Sequence, residues 1–198
     1  MDNIYKGNSG LKKGQGFLPA DGLALCGFVQ NQYNPASDTM QAKIGDLDPK
    51  TLLPCTPVII KNDNAEANGT GIMTGFNPKT FIIEKIADTS IDGFILESPQ
   101  NMVDNSGNGG LPLPHGIVPI AKIGSSIEVF LPCNINLVNV SISTPLYWDT
   151  ANNELTKDNT KIALTRVQLL SSVVNGKKRK LNTDTVEWED VNCVLVKL

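Results

Sequence analysis

The sequence predicts an all-β fold, and three observations carry that prediction. Pro145 to Thr156 reads as a strand, a tight polar turn and the start of a second strand. From Gly116 onward, short apolar runs alternate with polar residues at the period of a half-buried strand. The composition, 17 glycines and 12 prolines in 198 residues with abundant Asn, favours short strands and many turns over long helices. A charged fraction of only 19% suits a surface partly covered by partners.

Residues 1–22 combine Gly7, Gly10, Gly14, Gly16 and Gly22 with Lys6, Lys12 and Lys13 and have few apolar anchors, the composition of an arm. Such an arm either frays or orders against a partner. In the second case Ile4, Tyr5, Leu11, Phe17 and Leu18 would dock into a neighbour or extend its sheet. Residues 23–198 are expected to form a single β-rich domain.

Leu23 to Val29 fits a buried strand, and Gln30 to Gln41 a polar loop. Asp46 to Thr51 is a turn with room for one helical turn, after which Pro54 and Pro57 predict an extended piece at a sheet edge. Val58 to Lys61 is a strand and Asn62 to Gly71 an exposed loop. Ile72 to Ile86 resembles a hairpin turning at Asn77-Pro78-Lys79, and Ile91 to Glu97 is another strand. Between them, Ala87 to Ser90 fits a loop or a brief helical turn. Ser98 to Pro114 is the longest irregular stretch, either a contact loop or a plain connection.

Ile117 to Ile120 leads into Ile123 to Leu131, where Ile127, Val129 and Leu131 alternate with Glu128 and Phe130. Asn136 to Ile142 alternates again, with Val138, Val140 and Ile142 on one face of a further strand. In the aromatic strand, Leu146 and Trp148 share one face while Tyr147 and Asp149 share the other. Asp149 to Asn153 supplies the turn. Ile162 to Leu170 reads as one strand, although its apolar spacing also allows a helix.

Asn175-Gly176 is the strongest two-residue hairpin signal in the chain. It would set Lys177, Lys178, Arg179 and Lys180 at the tip and edge of a hairpin, where like charges stay solvated and block stray strand pairing. Glu187, Glu189 and Asp190 are near enough in sequence to compensate them. The cluster would otherwise meet an acidic patch on a protein partner. Val191 to Leu198 closes the chain as a strand paired inside the sheet.

No catalytic signature emerges, so the expectation is a protein that is not an enzyme and holds no cofactor or metal. His115 lacks a nucleophile motif around it. Asp38, Asp46 and Asp48 lack the glycine and terminal Glu of a calcium loop and fit local turn bonds instead. The glycines never take phosphate-loop order. Cys26, Cys55, Cys133 and Cys193 are far apart and are expected as reduced, partly buried thiols. A net charge of −3 gives no case for direct nucleic-acid binding. The stretch Met1 to Gly7 is unlike a signal peptide and no run is long enough to span a membrane, so a soluble protein of cytoplasmic synthesis is expected.

The run Pro145-Leu146-Tyr147-Trp148-Asp149, then Glu154-Leu155-Thr156, Lys161-Ile162-Ala163-Leu164 and terminal Val194-Leu195-Val196-Lys197-Leu198, resembles the C-terminal half of the tailed-bacteriophage head decoration proteins. The likeness covers roughly residues 116–198. Ser143-Thr144 stands where that family has Gly, and the segments 30–115 and 169–189 are longer than its usual pattern.

The resemblance implies a compact β-barrel, β-tulip-like or sandwich domain with long loops and an extended N-terminal arm. It further implies a virion structural protein on the outer capsid surface. Such a protein would bind the major capsid protein, associate with itself as a trimer and stabilise the expanded head. Tyr147, Trp148 and Asp149 would define the fold. The alternative expectation is a tail or fibre module binding a host surface or glycan through loops such as Gln100 to Gly110.

Overall fold

The computed structural model describes residues 24–30, 39–62, 81–85, 90–97, 116–183 and 185–198. The fold is all-β. Among the described residues, thirteen strands form a small closed barrel, a five-stranded sheet and a three-stranded sheet.

The barrel is built from β2 (Thr39–Lys43), β3 (Pro57–Asn62), β4 (Phe81–Lys85), β5 (Gly93–Ile95) and β6 (Ile117–Lys122), in the order β2-β4-β3-β5-β6. Its interior is lined by Ala42, Ile44, Leu52, Val58, Ile83, Ile95, Val118 and Ile120. Two expectations change here. Thr39 to Gln41, read as part of a loop, pair with Pro119 to Ala121 in β2. The strand that Pro57 opens is not at an edge, since β3 pairs with both β4 and β5, Pro57 itself lying opposite Phe94 of β5. A proline is tolerated there because it is the first residue of the strand. The turn expected over Asp46–Thr51 is present as a 3-10 turn at Pro49–Thr51, where the Lys50 amide donates to the Asp48 carboxylate at 3.0 Å.

The five-stranded sheet is centred on the long strand β13 (Thr185–Lys197). One side of β13 carries β12 (Val174–Asn182) and, further along, β11 (Gln168–Leu169). Antiparallel to β13 runs β7 (Glu128–Pro132), and β1 (Ala24–Leu25) pairs in parallel with β12. The three-stranded sheet has β8 (Tyr147–Asp149) between β9 (Glu154–Thr156) and β10 (Ile162–Ala163). These two sheets close on a second core in which Trp148 is fully buried, its ring 4.9 Å from that of Phe94 and tilted by 59°.

Barrel and sheets share a wall. In β5 and β6, Ile95 and Ile120 face the barrel interior while Phe94 and Ala121 face the larger core, as strand alternation requires. The wall therefore has no solvated face. Gly93 fits this crowding, because a Cβ there would lie 2.6 Å from the Ala121 carbonyl oxygen.

Three more expectations are corrected. Asn136 to Ile142 is not a strand. Residues Ile135–Leu137 form a 3-10 turn capped by the Asn134 side chain, Asn139 takes a φ of 59°, and the Ser141 hydroxyl accepts from the Ser143 amide. Short polar side chains satisfy the backbone locally and outcompete the ladder. The expected strand Ile162 to Leu170 is split into β10 and β11 by a turn at Thr165-Arg166, closed by Val167 N–H donating to the Leu164 carbonyl.

The third correction is the largest. Asn175-Gly176 is no turn but lies inside β12, and the hairpin closes at Asn182 opposite Thr185. Gly176 is there for close approach: a Cβ would meet Cys193 Sγ at 2.4 Å and the Ala24 carbonyl oxygen at 2.6 Å. The basic run is consequently at mid-strand rather than at a tip.

The hairpin expected over Ile72 to Ile86 lies largely outside the described residues. Its described part, β4, pairs with β3 and β2. The loops expected at 62–71 and 98–114 fall almost wholly outside them too.

Candidate functional site

The segment from Asn134 to Pro145 brings apolar side chains to the surface. Leu137 is buried and anchors it, while Ile135, Val138 and Ile142 are 60%, 42% and 64% exposed. Its base is tied to β9: Asn134 Nδ2 donates to Glu154 Oε1 at 2.7 Å, and Asn136 Nδ2 donates to the Thr156 hydroxyl at 2.9 Å. The Asn134 amide donates to the Leu155 carbonyl at 2.7 Å. These bonds hold a ridge with three exposed aliphatic residues on a defined base.

Beside the ridge, a groove of about 460 Å³ runs between Ile142–Tyr147 and Ala163–Gln168. Tyr147, half-buried, and the residues Ser143, Thr144, Thr165 and Gln168 give it a mixed apolar and hydroxyl-rich lining. Such a surface can take an extended protein segment through shape and hydrogen bonds. It carries no acid–base pair.

The turn after β8 is a compact electrostatic unit. Asp149 Oδ1 accepts from the Ala151 amide at 3.0 Å and lies 3.3 Å from Lys161 Nζ, while Oδ2 accepts from Asn152 at 2.9 Å. Burial pushes the Asp149 carboxyl up, but the Ala151 amide, Asn152 and Lys161 together outweigh it and hold the group below its usual range.

The basic run is distributed by strand alternation. Arg179 is buried, with Nε donating to Glu97 Oε2 at 3.1 Å and its guanidinium 3.8 Å from the Trp188 ring centroid. Lys177 pairs with Asp190 and Lys180 with Glu189, at 3.3 and 3.0 Å, and Lys178 lies 3.8 Å from Glu189. The acidic residues expected to compensate the cluster are thus directly across the ladder. Burial raises the Glu97 carboxyl above its usual value, against the pull of Arg179.

Ile4, Tyr5, Leu11, Phe17, Leu18, Asp38 and His115 lie outside the described residues. Of the expected partner-binding residues, only Lys177 to Lys180 are described. Among the described residues, no group of three or more His, Cys, Asp or Glu is arranged to hold a metal ion, and no helix is long and apolar enough to cross a membrane.

Sequence reasoning missed the exposed ridge and the Glu97–Arg179 pair. The Asn and Ser density from Asn134 to Ser143 was the available signal for the first. No local pattern announces the second, whose partners are joined only by the fold. Set against family models, curated proteins and solved structures, the chain finds no match.

Proposed function

We propose that this protein is a structural component of a tailed-phage virion that binds the outer surface of the major capsid protein lattice and stabilises the expanded head. The observation that carries the reading is the union of the segments behind the resemblance. Tyr147–Asp149, Glu154–Thr156 and Ile162–Ala163 are one sheet around the buried Trp148, and the terminal segment is part of the neighbouring sheet over the same core.

Ile135, Val138 and Ile142, exposed on one segment that Asn134 and Asn136 tie to β9, support the reading as a contact surface. A binder that prefers the expanded lattice stabilises it by mass action, and self-association into a trimer multiplies weak contacts. The Gly-rich composition of residues 1–22 suits a segment that clamps a neighbour.

The test is the copy number of this chain in purified particles, measured by quantitative mass spectrometry against the major capsid protein. A ratio near one per capsid subunit is expected. A few copies per particle would move the protein to a tail or vertex, and absence from particles would overturn the reading.

A further inference from the structure

A cleft of about 400 Å³ lies where connections between the barrel and the two sheets converge. Its walls are Thr39 and Met40 of β2, the turn of residues 122–125 that leads from β6 to β7, and Arg166 in the turn between β10 and β11. Residues distant in sequence thus bring two basic side chains, Lys122 and Arg166, to one place.

Both side chains stand on anchored backbone. Lys122 is the last residue of β6 and lies opposite Gly93 in the ladder. After it, Gly124 takes a φ of 88° and the Ser125 amide donates to the Lys122 carbonyl at 3.1 Å, the geometry of a turn whose third residue favours glycine. Arg166 lies across that glycine: a Cβ on Gly124 would stand 3.3 Å from Arg166 Nη1 and 3.6 Å from its Cδ. On its own side, Arg166 is carried by the turn in which the Val167 amide donates to the Leu164 carbonyl at 3.2 Å, both of those residues being buried. The Ser125 hydroxyl accepts from the Ile127 amide at 3.3 Å and keeps its own hydrogen to donate.

The charge at the cleft is unbalanced. Lys61, Lys161, Lys177, Lys178, Arg179 and Lys180 each face a carboxylate. Among the described residues, Lys122 and Arg166 have no ion pair, and no Asp or Glu lines the cleft. We propose that this cleft is a binding site for an extended acidic segment of a protein partner, whose carboxylates are taken by Arg166 and Lys122. The inference stands apart from the capsid reading, because any protein presenting such a segment satisfies it.

The chemistry of the two cations chooses the ligand. Arg166 offers a planar fork that meets one carboxylate with two parallel N–H donors, and Lys122 offers a compact charge to a second. Met40 and Ile123, both half-buried, flank them and suit aliphatic stems. Both cations are exposed, and an exposed ion pair is weak. A free anion therefore exchanges off readily. Two carboxylates on one chain make the second contact intramolecular and hold where either alone does not. The overall net charge of −3 disfavours a nucleic-acid backbone as the anion.

The experiment titrates the isotope-labelled full chain with hexaglutamate at low salt and follows the backbone amide resonances. Expected are saturable shifts at Lys122, Gly124, Ser125 and Arg166 that hexaglutamine does not produce and that added salt weakens. The double variant Lys122→Gln, Arg166→Gln should weaken hexaglutamate binding about tenfold or more. Its unfolding midpoint should stay at the wild-type value, because both side chains are exposed. No saturable shift at these amides, or an equal response to hexaglutamine, would overturn the proposal. So would shifts centred on residues 177–180, or wild-type affinity in the double variant. Inorganic phosphate or an oligothymidylate binding the cleft as tightly as hexaglutamate would put a free anion or a nucleic acid in place of the segment, and would overturn it too. The wild-type comparison with hexaglutamine decides the matter even where the variant fails to fold.

Discussion

Trp148 is where single-residue chemistry weighs most. The ring is fully buried against Phe94, and its Nε1 has no hydrogen-bond partner among the described residues. Removing it leaves a large cavity, so Trp148→Ala is expected to lower stability by about 3–5 kcal/mol in denaturant unfolding. Two carboxylates near the core respond to pH with opposite signs. Asp149 has a folded pKa below its ordinary value of 3.8, so its contribution is present above that value and is lost as pH falls through the folded pKa. Glu97 has a folded pKa above its ordinary value of 4.5; its contribution is present below 4.5 and is lost as pH rises through the folded pKa. In unfolding curves taken across acid pH, Asp149→Asn should flatten the loss at the acid end. Glu97→Gln should remove the decline above pH 4.5, so that its unfolding midpoint no longer falls as pH rises from 4.5 to 7. A variant that keeps the wild-type decline would assign it to another group.

Among the elements, the β12–β13 ribbon shows how packing overrides a local signal. Asn-Gly favours a two-residue turn because glycine and asparagine accept positive φ, yet here glycine is selected by the space between Cys193 and Ala24. Gly176→Ala should therefore destabilise the protein by about 1–3 kcal/mol through overpacking, read from the denaturant midpoint. A turn glycine on the surface would show no such clash. The same contrast explains what could be read in advance. Tyr147 to Asp149, its polar turn and Glu154 to Thr156 were legible because strand alternation and turn chemistry agree over one short stretch. Asn136 to Ile142 was misread because its alternation is real, while the capping by Asn134 and the φ of Asn139 depend on backbone geometry. The Glu97–Arg179 pair joins residues distant in sequence, and no periodicity encodes a contact of that kind.

For the whole molecule, the shared wall of β5 and β6 joins barrel and sheets, since each of its faces is buried in a different core. The segment of Ile135, Val138 and Ile142 is tied to β9 over the larger core through Asn134 and Asn136. Because Ile135, Val138 and Ile142 are exposed, exchanging them for polar residues should cost the fold little, within about 0.5 kcal/mol each. On the proposed reading the effect on binding should be far larger, because an aspartate buried in the contact without a partner is costly. A Val138→Asp, Ile142→Asp double variant should therefore unfold at the wild-type denaturant midpoint but fail to co-sediment with expanded capsids lacking this protein. Deleting residues 1–20 should give the same pattern if the N-terminal segment clamps a neighbour. Wild-type binding by the ridge variant would move the lattice contact to another face, and wild-type binding by the deletion would leave the ridge as the principal anchor.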